Sequence, residues 1–158
     1  MTAFVEDQAT IRGTPEEVWA IIEDPAALAR VLPGAEALIA TGPGTFRGVL
    51  ATRIQFLTIR ADVDASFHDA DPPRHLRLLL TGRPRGLAGS FTASVPFDLL
   101  ALDGAERATE VRYTIDLSVT GRLATFGLPL LRDTLRRQVS ELVANVDREL
   151  AARTQTRP

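Results

Sequence analysis

The sequence predicts an α+β fold: a curved antiparallel β-sheet of about seven strands wrapped around one long C-terminal α-helix, with two short helices after the first strand. Three observations carry this. From Leu128 to Arg153, apolar residues at Leu128, Leu131, Leu135, Val139, Leu142, Val143, Val146 and Leu150 recur in steps of three and four, the spacing of one helical face. From Glu36 to Thr120 the apolar period is two instead, in short runs divided by turn residues. Between Gly13 and Gly34, two helix-start signals follow each other closely.

In chain order, Ala3 to Arg12 alternates as a half-buried strand, with Val5, Ala9 and Ile11 on one side and Asp7 as the one charge among them. Gly13 ends it. In Thr14-Pro15-Glu16-Glu17, Thr14 can cap, Pro15 suits the first helical position and Glu17 completes a capping box. Val18, Trp19, Ile21 and Ile22 form the buried face of that helix. Asp24-Pro25 repeats the logic for a second helix over Ala26 to Leu32, stopped by Pro33-Gly34. Strands then follow at Ala37–Thr41, Thr45–Ile54, Thr58–Phe67, His75–Thr81, Ser90–Leu102 and Thr109–Thr120. Pro96 marks its strand as an edge or a bulge, Asp69 to Pro73 reads as a loop, and Asp103-Gly104 as a hairpin turn. Short connections between sequential strands imply a meander. One domain spanning residues 1–153, with a short tail at 154–158, is the expectation. The final helix, at ~1.5 Å per residue, is a rod of about 39 Å and needs an apolar surface to lie on.

The composition excludes several classes of function. A formal net charge of -2 gives no global attraction to nucleic acid. Without Cys there is no disulfide, thiolate metal site or Cys nucleophile. No leader or membrane-spanning run is visible, so a soluble cytoplasmic protein is expected. His68 and His75 flank Asp69 and Asp71, but the segment is richer in turn formers than in metal-ligand spacing, and no metal is expected. No nucleophile elbow or phosphate-cradling glycine loop occurs, and no catalytic residue is assigned. Arg83 and Arg85, and Arg132, Arg136 and Arg137, read as solvated loop and helix surface. Thr52 and Tyr113 are the polar groups on inward positions.

Thr14-Pro-Glu-Glu-Val-Trp19, Asp24-Pro25, Leu32-Pro-Gly34 and Val119-Thr-Gly-Arg-Leu123 leading into the last helix together resemble the carbon monoxide dehydrogenase G-subunit family. That family sits within the helix-grip (SRPBCC, START-like) superfamily, which also holds lipid-transfer domains and polyketide cyclases. The family's usual Gly-Pro-Ile between the third and fourth strands is here Ile54-Gln55-Phe56-Leu57. Many members extend further at the C-terminus toward the membrane, and no tail of that kind is expected here.

The resemblance implies a non-catalytic protein that holds an apolar ligand, a quinone or lipid, without a cofactor. It also implies service to a molybdenum hydroxylase of the CO dehydrogenase type, with a transient contact at the inner face of the cell membrane left open. A cyclase or dehydratase of the same superfamily is the alternative. By strand parity, a cavity between sheet and helix is expected to be lined by Leu28, Leu32, Phe46, Leu50, Ile59, Val63, Leu78, Leu80, Phe91, Val95, Tyr113, Leu117, Leu131 and Leu135. The short helix over Ala26 to Leu32 is the expected gate.

Overall fold

Seven strands form one antiparallel sheet in a computed structural model that describes residues 2–104 and 107–155. They are β1 (Thr2–Ile11), β2 (Ala35–Gly42), β3 (Thr45–Ile54), β4 (Leu57–Asp71), β5 (His75–Pro84), β6 (Phe91–Ala101) and β7 (Thr109–Val119). Their spatial order is β1-β7-β6-β5-β4-β3-β2. β1 and β2 are the only consecutive strands that are not neighbours, and they are the two edges. The chain between them must therefore cross the whole sheet, and it does so as α1 (Pro15–Ile22) and α2 (Pro25–Val31). After β7 a short 3₁₀ helix (Gly121–Phe126) turns the chain into α3 (Leu128–Gln155), 28 residues long, which runs back across the same face.

The expected helix starts are used. Thr14 Oγ1 accepts from the Glu17 amide at 3.1 Å, and Glu17 Oε1 accepts from the Thr14 amide at 3.0 Å, a closed capping box. Asp24 Oδ1 accepts from the Ala26 amide at 3.1 Å and caps α2. Thr14→Ala should lower stability by about 0.5–2 kcal/mol. Denaturant midpoints check this, and an unchanged midpoint would contradict a working cap.

Three sequence expectations need correction. β2 begins at Ala35, two residues early, because the Gly34 carbonyl already accepts from the Ala51 amide at 2.8 Å and starts the pairing with β3. β4 continues to Asp71, through the segment read as a loop; a register irregularity between His68 and Asp71, with Asp69 at φ 58°, absorbs the turn-forming residues inside the strand. Pro96 lies on an interior strand. Its missing N–H interrupts pairing to β7, which passes from Ser94↔Asp116 to Phe97↔Tyr113 without a shift of register. The turn expected at Asp103-Gly104 falls in the β6–β7 connection, part of which lies outside the described residues. β6 and β7 pair antiparallel on either side of it.

Two buried clusters flank the space between sheet and helices. One joins Ile11, Val18, Trp19, Ile21, Val31, Leu76, Leu99, Val146 and Leu150 near the C-terminal half of α3. The other joins Ala3, Ile54, Ala93, Leu117, Val119, Leu123 and Leu131 near its start. Thr109 is fully buried and donates from Oγ1 to the Gly13 carbonyl at 2.7 Å, tying the start of β7 to the β1–α1 corner.

Candidate functional site: an apolar cavity under the long helix

Period-two strands send every second side chain toward α3, and between the two clusters these side chains do not meet. They leave a cavity of about 220 Å³ whose surface is formed by apolar atoms alone. Of the fourteen residues expected to line it, nine do: Leu28, Leu32, Phe46, Leu50, Val63, Leu78, Leu80, Val95 and Tyr113. Phe46 and Phe67 meet edge to face in its wall, with ring centroids 5.6 Å apart.

Ile59, Phe91, Leu117, Leu131 and Leu135 lie outside the cavity, in the cluster at the start of α3. Two physical causes put them there. The 3₁₀ helix drops Leu123 and Phe126 into that end of the grip, and Leu128, Leu130 and Leu131 pack onto them. Phe91 lies across from Gly82, where even a Cβ would come within 2.3 Å of its ring, so the ring occupies the space over Gly82 on β5. The cavity is thereby displaced toward the later half of α3, where Val139, Leu142, Val143 and Val146 face it.

Strand parity misses the α1 contribution of Val18, Ile21 and Ile22. The sequence reads these only as core, and nothing local says that α1 crosses a void. Trp19 is core, 7% exposed, with Nε1 donating to Glu23 Oε1 at 2.8 Å. Ala9, Leu38, Ala65, Phe67, Phe97 and Val111 also line the cavity. Ala9 and Ala65 are the legible signal: small residues at inward positions leave volume unfilled. Thr52 is not in the wall.

Among the described residues, Tyr113 is the sole titratable one lining the cavity. Burial pushes its phenol above the ordinary value, and the charge on Asp7 adds to this while Arg136 opposes it. It is therefore a neutral hydroxyl at physiological pH, unable to act as a base. Asp7, its register partner on β1, is exposed and does not reach the cavity. His68 pairs with Ser66 at 2.7 Å and His75 with Asp98 at 2.8 Å. Among the described residues no group of three or more His, Asp or Glu is placed to hold a metal.

α2 closes one side of the cavity with Leu28 and Val31, and Leu32 just past its end adds to them. Polar contacts hold it to α3. Arg30 meets Glu149 at 2.6 Å, and this hydrogen bond holds the Glu149 carboxyl below the usual carboxylate range. Asn145 Nδ2 donates to the Val31 carbonyl at 2.8 Å, and Arg153 reaches Asp24 at 3.3 Å.

A long helix gripped by a curved sheet, with two short helices across an apolar interior, is the START-like helix-grip fold. The sequence profile of the carbon monoxide dehydrogenase G-subunit (CoxG) family matches residues 8–151, and the chain belongs to that family. No functionally curated protein matches the chain. Among solved structures, a conserved protein from Geobacillus kaustophilus is similar with TM-score 0.84 at 24% identity, covering 96% of each chain. The Zhui aromatase/cyclase from Streptomyces sp. R1128 is similar with TM-score 0.70 at 16% identity, covering 99% of this chain and 98% of that one. A START superfamily protein from Mycobacterium smegmatis has TM-score 0.70 at 12% identity, covering 94% and 97%. At these identities the three establish the fold alone.

Proposed function

We propose that this protein is a non-catalytic carrier that holds an apolar molecule, a quinone or similar lipid, for a molybdenum hydroxylase of the CO dehydrogenase type. The observation that carries the reading is the cavity wall, which presents no polar atom and, apart from Tyr113, no ionisable residue. A chemical step would need a group positioned to move a proton or attack; the cavity surface offers apolar atoms alone, which suits holding an apolar molecule. The volume fits this use. A dry cavity of about 150 Å³ takes up benzene, so about 220 Å³ accepts a larger ring system. A long isoprenoid tail would then need α2 to shift.

Family membership supports the enzyme partner, because the family is named for a subunit of carbon monoxide dehydrogenase. For loading, α2 is the proposed gate. It lies between breaks at Asp24-Pro25 and Pro33-Gly34, and is held to α3 by a few side-chain contacts, Arg30–Glu149 and Asp24–Arg153 among them, that must part for it to move. The second reading is a cyclase or dehydratase of the same superfamily. In its favour, the chain shares its fold with an aromatase/cyclase.

Native mass spectrometry of the protein isolated from the organism that makes it should find one apolar molecule per chain, released unchanged on denaturation. Protein that is empty in every preparation, or a polyketide intermediate with its cyclised product, would overturn the carrier reading.

A further inference from the structure

The two edges of the sheet differ. β2 is broken by register irregularities between Glu36 and Ile39 and between Ala40 and Gly42, with Ala37 at φ 50°. Such breaks keep another strand from pairing. β1 has none of them. It pairs with β7 without interruption from Thr2 to Ile11, and its 10 residues include no Pro, Lys or Arg. Gln8 turns its N–H away from β7 and donates to Asp7 Oδ1 at 2.8 Å; Arg12 likewise donates to Asp147 Oδ1 on α3 at 2.9 Å. Strand direction repeats every second residue, so Thr2, Phe4, Glu6 and Thr10 also point N–H and C=O outward. Among the described residues nothing pairs with these four on that side. An open ladder of this kind is a template for strand addition.

The side chains along the open edge are acidic and apolar. Phe4 is 51% exposed on the outer face, with Asp116 opposite it on β7. Glu6 follows on the same face, and Asp7 is exposed on the other. Glu6, Asp7 and Asp116 are in no ion pair among the described residues, whereas every other carboxylate on the strands pairs with an Arg or His. The unpaired negative charge of the sheet is thus gathered where its backbone is also unpaired.

We infer that β1 is the docking site for an extended, basic segment of a partner protein, which adds to the sheet as a further strand. Its backbone pairs with Phe4 and Glu6. A basic residue lies opposite Glu6, a second beside Asp7, and an apolar residue two positions along covers Phe4. A second copy of this chain fits the edge less well. The two β1–β1 registers that overlap most are centred on Glu6 or on Asp7, and each sets that carboxylate against its own copy. The inference goes beyond the carrier reading and does not depend on what the cavity holds.

The test is fluorescence anisotropy of the full chain with a labelled synthetic peptide of alternating Thr and Val carrying two adjacent arginines at its centre. Saturable binding is expected, and the same peptide with Glu in place of Arg should not bind. Only one side of an added strand faces β1. Of two peptides N-methylated on alternate amides in opposite phase, one should therefore bind at least about tenfold more weakly than the other. Glu6→Gln/Asp116→Asn should weaken the Arg peptide by about twofold to fivefold per charge removed. Its melting midpoint should match the wild type, since both side chains are exposed. Equal binding of the Arg and Glu peptides, equal binding of the two methylated phases, or no binding at all would overturn the proposal. So would a wild-type dimer in sedimentation that excludes the peptide, because a second copy would then hold the edge.

Discussion

Ala65→Phe is expected to abolish uptake of an apolar ligand while leaving the fold intact. Ala65 sits mid-strand on β4, paired with Phe46 on β3 and Leu80 on β5, with all three in the cavity wall. A cavity of about 150 Å³ is occupied by a single benzene, so one added phenyl ring takes up most of the 220 Å³ here. Overpacking a filled core usually costs about 1–3 kcal/mol, but this ring enters a void and its burial offsets strain. Ligand affinity should fall at least about tenfold, the shift given by about 1.4 kcal/mol, with an unchanged or raised melting midpoint. Undiminished binding would place the ligand elsewhere. Leu131, one of the residues expected from the sequence to line the cavity, is buried in the neighbouring cluster and would not serve for such a blockade.

Gly34→Ala should be the most destabilising single substitution at the mouth of the grip. Gly34 closes the Leu-Pro-Gly stop after α2 at φ 72°, in the left-handed region. A Cβ there would lie 1.9 Å from the Ala51 carbonyl oxygen, a backbone atom of paired β3 that cannot step aside. The left-handed conformation alone costs about 1–2 kcal/mol for a non-glycine residue. With the clash, the total should be about 3 kcal/mol or more, read as a large drop in denaturant midpoint. Because the same residue ends the proposed gate, a partly folded Gly34→Ala protein should also leak ligand. A midpoint within roughly 0.5 kcal/mol of wild type, the range of a neutral surface change, would contradict this geometry.

The fold was legible because its signals are local and agree with each other. Thr14 and Glu17 make their capping box within four residues, β3 to β7 alternate over most of their length, and the α3 stripe has one period throughout. The position of the cavity was not legible. Parity says that Phe91 and Val95 both face inward. It cannot say that Phe91 folds onto Gly82 while Val95 looks into a void, because the difference depends on a neighbouring strand. The 3₁₀ helix at Gly121–Phe126, too short to show a period, decides which half of α3 is filled. Val18, Ile21 and Ile22 read correctly as apolar and inward, yet only the crossing from β1 to β2 brings them over the cavity.

The most direct test of a cavity that carries and does not convert is a titration of Trp19 fluorescence with a naphthoquinone bearing a short isoprenoid tail. Trp19 is the chain's only Trp, buried on α1 beside three cavity-lining residues, so it reports occupancy without an added label. The expected result is saturable quenching at one ligand per chain in the wild type, little quenching in Ala65→Phe, and quinone recovered chemically unchanged. Linear, unsaturated quenching that is equal in both proteins, or loss of the quinone to a new product, would contradict the carrier account.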